Sequence, residues 1–539
     1  MVNPVGRLLA SSLWRAGRRA LTVQIVVALL VTVLATLWLE RPGRHDTSAL
    51  ARAEAMQQKG NLGGAERLLW TSLSEGVTVP LLLAFLDNHH HQRVLTESGP
   101  TLRSNDAFLV AEVEIDALFS RIDLTEDVQL LGLFWRAALQ KQVPETLRQR
   151  VVALAAREPP TPFANHLLGN EARRNGRLIE AATRLEREGL HFPERADDFR
   201  LAMRILVMAE LWDEIGERMK NPAVAPHMPP ALRYGYAVRT KDVRGAVRAI
   251  VEIALERRPA AALAMAAISG AMWLLFLLRL GRVREQLSSR LPLFLAAFVL
   301  GIVSVLPTLV VVGLEESLLG FRERGELVSD FIFFTVGVGL REELCKLLLF
   351  LPLLPILRAR GNRLEVLACG ALVGLGFATE ENVQYLQHGG LTTGLSRFLT
   401  ANFLHMALSG LLALAAFDAL RDQRGDTPTF SRTLLTVTAL HGAYDLFLSS
   451  RDLDGLGFLS MTIFIILTRL FLREVAAAAR GPTPGLLRQF ARAVVVVACA
   501  SFVYASSFVG PAGAALALAQ GMLGLVLIVV MFVQEMRAA

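Results

Sequence analysis

The stretch Arg341-Glu342-Glu343-Leu344-Cys345-Lys346 lies inside an apolar run, Phe331–Leu354, and its reading decides what kind of fold this chain has. A charged side chain at bilayer depth costs about 2.5–3.5 kcal/mol even on insertion scales, so adjacent acids within a spanning segment point to a functional site. Glu342 to Lys346 is i,i+4 and Glu343 to Lys346 is i,i+3, so the lysine can neutralise one acid on its own helical face. It is not expected to pair well with both.

Outward from this run, the composition fits a mixed protein. Of 539 residues 53% are hydrophobic, too many for one soluble enzyme, while 19% are charged, too many for membrane spans alone. Cys345, Cys369 and Cys499 all fall in apolar runs, which leaves no disulfide framework and no thiolate metal site to read. The net charge of +7 comes from short basic clusters between apolar runs, the pattern of cytoplasmic loop anchors rather than of a nucleic-acid partner.

Residues 1–40 read as a cytoplasmic N-terminus and a signal anchor. Arg7, Arg15, Arg18 and Arg19 precede the apolar stretch Leu21–Leu39, and Ala35-Thr36-Leu37-Trp38 offers no small-residue cleavage site. Residues 41–258 turn polar with helical periodicity and read as an extracytoplasmic domain of α-helical hairpins. Its Gly60-Asn61-Leu62-Gly63-Gly64-Ala65 and Gly176-Arg177-Leu178-Ile179-Glu180-Ala181 resemble the turn and second-helix start of tetratricopeptide units. Binding or sensing, with a protein ligand, is the expected role. His89-His90-His91 is expected to be a solvated loop and receives no site, because three consecutive histidines cannot all face one ion.

After Pro259 come successive apolar runs: Ala260–Leu280, Leu291–Val312, Phe331–Leu354, Val366–Leu386, Phe398–Leu420, Leu434–Leu448, Leu456–Leu472, Ala493–Val509 and Ala514–Val533. With the signal anchor they give about ten spans. The predicted fold class is therefore all-α, a polytopic membrane bundle with an inserted soluble helical domain. Residues 259–287 supply one span and a basic loop, 288–472 the core, and 473–539 a basic loop and two C-terminal spans. Arginines concentrate in alternate loops, around Arg282, Arg363, Arg421 and Arg473, whereas Glu315–Asp330, Gln387–Arg397, Ser449–Gly455 and Gly510–Gly513 are acidic, near neutral or very short. The positive-inside rule then puts both termini in the cytoplasm of a cell whose inner membrane holds the bundle.

Four successive spans carry ionisable groups: Glu342 and Glu343; Glu380, Glu381 and Asn382; His405 with Ser409; His441 with Asp445. His405/Ser409 and His441/Asp445 are each i,i+4 and so share a helical face. At 1.5 Å per residue the groups converge between the bilayer midplane and the outer surface, which requires a hydrated pocket to solvate them. A carboxylate in a partly dry pocket can take a proton from water, and a histidine or amide can steer the water or stabilise an oxyanion. No serine elbow and no His-Glu-x-x-His helix is present.

The order Glu-Glu-x-x-Lys, Phe-x-x-x-Glu-Asn, His-x-x-x-Ser, His-x-x-x-Asp on successive membrane helices resembles the PrsW family of intramembrane proteases, related to the prenyl-protein (CAAX) and bacteriocin-processing membrane proteases, over about Ser288 to Leu472. The resemblance implies peptide-bond cleavage in membrane-associated substrates, such as the external portion of an anti-sigma factor. It maps Glu342, Glu343, Lys346, Glu381, Asn382, His405, His441 and Asp445 onto motif positions. The leading expectation is an endopeptidase that uses a glutamate-activated water, with Glu343 or Glu342 as base. No metal cofactor is expected; zinc is the alternative, held by Glu381, His405 and His441 with one of the paired glutamates. Competing readings are a proton- or cation-coupled transporter and a membrane-anchored sensor.

Overall fold

A computed structural model describes residues 48–58, 61–97, 108–121, 124–255, 260–360, 362–388, 393–421, 427–479 and 485–538. The signal anchor expected at Leu21–Leu39 lies outside them. Every regular element among the described residues is helical, as the all-α reading requires. They divide into two compact units, one within 41–232 and the other taking the rest from Arg233.

The first unit contains α1 (Ala49–Gln58), α2 (Leu62–Glu75), α3 (Val79–Glu97), α4 (Glu112–Phe119), α5 (Glu126–Leu139), α6 (Glu145–Ala156), α7 (Ala164–Arg174), α8 (Leu178–His191), α9 (Ala196–Met208) and α10 (Trp212–Lys220). Asn61 caps α2 by accepting the Gly64 N–H at 2.8 Å, and Thr125 caps α5 by accepting that of Val128 at 3.3 Å. Gly176, at φ +74°, makes the left-handed turn between α7 and α8. The run His89-His90-His91 is not the solvated loop expected of it: it lies inside α3, and His89 is buried. His89 Nδ1 sits 2.8 Å from Oε1 of buried Glu66, which also accepts the Val110 N–H at 2.9 Å. Burial opposes a charged imidazole, but Glu66 and Glu112 outweigh it and hold His89 above the ordinary histidine pKa.

The second unit begins within α11 (Pro230–Arg239) and continues through α12 (Val243–Leu255). These helices lie before the expected 258 boundary, yet α12 packs on α15 (Val305–Leu319) and Tyr234 Oη donates to Glu316 at 2.7 Å. The bundle proper comprises α13 (Ala260–Leu280), α14 (Leu287–Val303) and α15, then α16 (Leu327–Ile332), a π-helical segment Phe333–Leu340, α17 (Arg341–Phe350) and α18 (Leu354–Arg360). It is completed by α19 (Arg363–His388), α20 (Thr393–Leu399), α21 (Ala401–Arg421), α22 (Thr427–Ser449), α23 (Phe458–Ala479) and α24 (Leu486–Ala538), the last kinked at Gly510-Pro511.

Five stretches of the described residues are long and apolar enough to cross a membrane: Ala260–Leu280, Leu287–Leu319, Arg363–Leu386, Gly394–Arg421 and Leu486–Ser506. The expected runs Phe331–Leu354, Leu434–Leu448 and Leu456–Leu472 are helical as well. They carry the acids, polar residues or arginines that dilute their apolar character. Helix α19 is the axis of the bundle, packed on α13, α14 and α21. It approaches α21 through Gly374, where a Cβ would come within 2.1 Å of the His405 carbonyl oxygen. Small residues of this kind let membrane helices close on one another, and here the closure carries His405 inward.

Candidate active site

The acids of α17 are delivered by an unusual turn. The π-helical segment Phe333–Leu340 runs directly into Arg341, packs along α22, and places Glu342 and Glu343 inside the bundle. π-Helical turns are rare and concentrate at functional sites. The sequence carried no periodic signal for one.

Lys346 is the hub. Its Nζ lies 2.9 Å from Glu343 Oε1, 3.2 Å from Glu342 Oε2 and 2.9 Å from His405 Nδ1, and 4.0 Å from the centre of the Phe377 ring. The expectation that it would serve only one acid is corrected. A lysine one turn away from two adjacent glutamates reaches both when the surrounding helices, including Phe377 on α19, hold its ammonium group between them.

His441, from α22, places Nδ1 3.1 Å from Glu343 Oε1, and its Nε2 3.7 Å from Glu342 and 3.4 Å from Asp445. His405, from α21, has its Nε2 3.2 Å from Glu381 Oε2. The two imidazoles meet edge to face at 5.1 Å. Ser409 donates to Glu343 Oε2 at 3.1 Å, so its hydroxyl fixes a carboxylate rather than standing free as a nucleophile.

Asn382 belongs to a flanking network. Its amide donates to Asn402 at 2.6 Å, Asn402 donates to Ser269 at 2.8 Å, and its carbonyl oxygen accepts from Arg397. Arg397 was not among the expected site residues. The sequence places it at the end of the outer loop Gln387–Arg397, but it lies in α20, donates to Glu381 Oε2 at 2.6 Å and covers the Tyr385 ring at 3.6 Å. The signal was available: an arginine at the mouth of an apolar run, on the side where the positive-inside rule disfavours one. Glu380 is half-buried beside this network.

Exposure is graded across the cluster. The Glu343 side chain is fully enclosed and Lys346 nearly so, Glu342 is 11% exposed, Glu381 22% and Asp445 28%. The open side is thus the Glu381–Asp445 side. Behind Glu343 a void of about 10 Å³, lined by Lys346 and Ser409 among apolar residues, is at the lower limit of what admits one water.

Glu342, His405 and His441 each present one ligand atom, all within 4.8 Å of one another. Two imidazoles and a carboxylate are a donor set used by catalytic zinc. His441 Nδ1 is buried without a well-directed hydrogen-bond partner, so the residues fit a metal ion. Of the donors expected, His405, His441 and Glu342, one of the paired glutamates, come together, whereas Glu381 stands outside the group and is engaged by Arg397 and His405.

Residues 289–471 match the model of the PrsW family intramembrane metalloprotease, and over that stretch the chain is similar to a membrane-embedded peptidase. No curated protein and no solved structure matches it.

Proposed function

We propose that the chain cleaves membrane-associated protein substrates at the cluster of Glu342, Glu343, Glu381, His405 and His441, and that a carboxylate of the Glu342/Glu343 pair takes the proton of the attacking water. The observation that carries this reading is the meeting of two carboxylates and two imidazoles, from three helices, around Lys346 inside an apolar bundle. Glu342 offers the more open oxygen, and Glu343 the one already in contact with His441. Lys346 keeps the enclosed carboxylate charged, while Ser409 fixes its second oxygen. Glu381 orients His405, with Arg397 holding Glu381 in turn. Without a bound metal, His441 Nε2, facing Asp445 on the open side, is placed to return a proton to the leaving amine.

Glu342, His405 and His441 would hold a zinc ion, which when bound would polarise the scissile carbonyl and ease deprotonation of water. The description of the matched family as a metalloprotease supports this over the metal-free expectation.

The first unit, tetratricopeptide-like in its helical hairpins and extracytoplasmic on the positive-inside reading, recruits or gates the substrate. The external part of an anti-sigma factor is a substrate of the kind the resemblance implies. The test is proteomic comparison of membrane fractions from cells carrying the wild type, Glu342→Gln or Glu343→Gln. Truncated membrane proteins present only with the wild type support the assignment. Undiminished cleavage by both variants refutes it.

A further inference from the structure

The contacts of Lys346 fall into two groups. Its Nζ meets Glu342 Oε2 at 3.2 Å and His405 Nδ1 at 2.9 Å, and both partners belong to the set of Glu342, His405 and His441 that could hold a metal ion. It also meets Glu343 Oε1 at 2.9 Å and stands 4.0 Å from the centre of the Phe377 ring, and neither of these residues is in that set. The cation of the lysine and the cation of a metal therefore draw on the same donors.

Hydrogen-bond direction decides whether they can share them. An ammonium group has three donors and no acceptor. At the contact between Lys346 and His405 the ammonium therefore donates and Nδ1 accepts. The ring proton then sits on Nε2, which lies 3.2 Å from Glu381 Oε2, a carboxylate oxygen able to accept it. One tautomer of His405 thus matches both of its neighbours. A ligating histidine binds metal through one nitrogen and carries its proton on the other, where an acceptor fixes it. At Nδ1 the ammonium already occupies the lone pair. At Nε2 a metal would require the proton on Nδ1, facing a group that cannot accept it. Neither nitrogen is open to a metal ion while Lys346 stays on the ring.

We propose that Lys346 competes with zinc for His405 and Glu342, so that loading the site requires the ammonium to leave both and to rest on Glu343 and Phe377. Glu343 is fitted to keep it, because its side chain is fully enclosed and its second oxygen is fixed by Ser409 at 3.1 Å. Lys346 is thus a positioning residue that sets zinc affinity through His405, besides its part in holding the acids. The inference rests on the zinc reading of the site, and its test separates the two.

Zinc dissociation constants of the full chain in detergent, measured by competition with a chromophoric chelator, supply the first readout. Glu343→Gln, which keeps the lysine, is compared with Lys346→Met/Glu343→Gln, which removes it without stranding the enclosed carboxylate. The double variant should bind zinc roughly ten- to hundredfold more tightly, the worth of one hydrogen bond to a charged group. Equal or weaker binding overturns the proposal and leaves the zinc reading in place. Absence of zinc binding in the wild type and in both variants overturns the two together.

The second readout leaves Lys346 unchanged. Nitrogen NMR spectra of metal-free wild type, isotope-labelled at histidine, should show His405 with its proton on Nε2 and none on Nδ1; its signals are identified by their loss in His405→Gln. Removing a nearby positive charge would favour zinc on its own account, but it would not fix this tautomer. A proton on Nδ1 of His405 overturns the proposal, whatever the dissociation constants.

Discussion

Replacing Lys346 with methionine, which keeps the length and apolar bulk of the side chain but removes its charge, should destabilise the bundle more than any other single change at the site. The ammonium lies 2.9 Å from Glu343 and 3.2 Å from Glu342. At an effective dielectric of about 20, each attraction is on the order of 5 kcal/mol before desolvation is subtracted. Removing one partner of a buried pair leaves the other charge uncompensated and costs about 3–5 kcal/mol. Glu343 is the group left stranded, because its side chain is fully enclosed, whereas Glu342 retains some contact with solvent. Lys346→Met/Glu343→Gln should therefore be more stable than Lys346→Met alone, although it carries one more substitution. Glu343→Gln by itself should cost little, since Lys346 keeps Glu342. Thermal unfolding of the four proteins in detergent, read as a double-mutant cycle, measures the coupling. A Lys346→Met protein as stable as the wild type, or a double variant less stable than that single one, would show that the three groups do not form a charge cluster.

The other expectations concern different parts of the molecule. Purified protein should carry zinc by elemental analysis, and His405→Ala, His441→Ala and Glu342→Ala should each lose it, whereas Glu381→Ala should retain it; loss in Glu381→Ala with retention in Glu342→Ala would put Glu381 rather than Glu342 on the ion. Gly374→Ala should lower thermal stability by about 1–3 kcal/mol, because a Cβ there would sit 2.1 Å from the His405 carbonyl oxygen and would push α19 and α21 apart; an unchanged melting curve would contradict this close approach. In the first unit, the raised pKa of His89 means that its charged contact with Glu66 stabilises fully below the ordinary histidine value and is lost as pH rises through the higher folded value. Amide protection in α2 and α3 should accordingly fall as pH rises above the ordinary histidine value, and His89→Gln should abolish that dependence.

Much of this was legible in the sequence because the two governing signals are local. Apolar runs of bilayer length located the helices, and charges inside those runs stood out because lipid tolerates so few of them. Glu342, Glu343, Lys346, Glu381, His405, Ser409, His441 and Asp445 could all be picked out in this way, and the structure brings them into one network. The partners within that network were not legible, because they depend on helix rotation and on the distance between axes. Asn382 follows Glu381 directly, yet it joins the Asn402–Ser269 network. His89 gave the opposite error: a run of polar residues suggested solvent, while the opposing Glu66 on α2 made burial of the first imidazole tolerable.

Arg397 shows where the two kinds of information meet. Loop counting treats an arginine at the end of a short outer segment as a minor exception to charge asymmetry, and the sequence offers no partner within one helical turn. In the structure α20 carries it back against α19, where one guanidinium satisfies Glu381 and Asn382 together while its plane covers Tyr385. A planar cation with several donors can do this, and a lysine cannot reproduce it. An arginine standing on the disfavoured side of a membrane protein, beside a span that contains an acid, is thus better read as a partner sought by that acid than as noise in the topology. The same reasoning identifies Arg341, whose guanidinium reaches Glu315 at 2.7 Å, as a brace that holds the start of α17 while the glutamates that follow it turn inward.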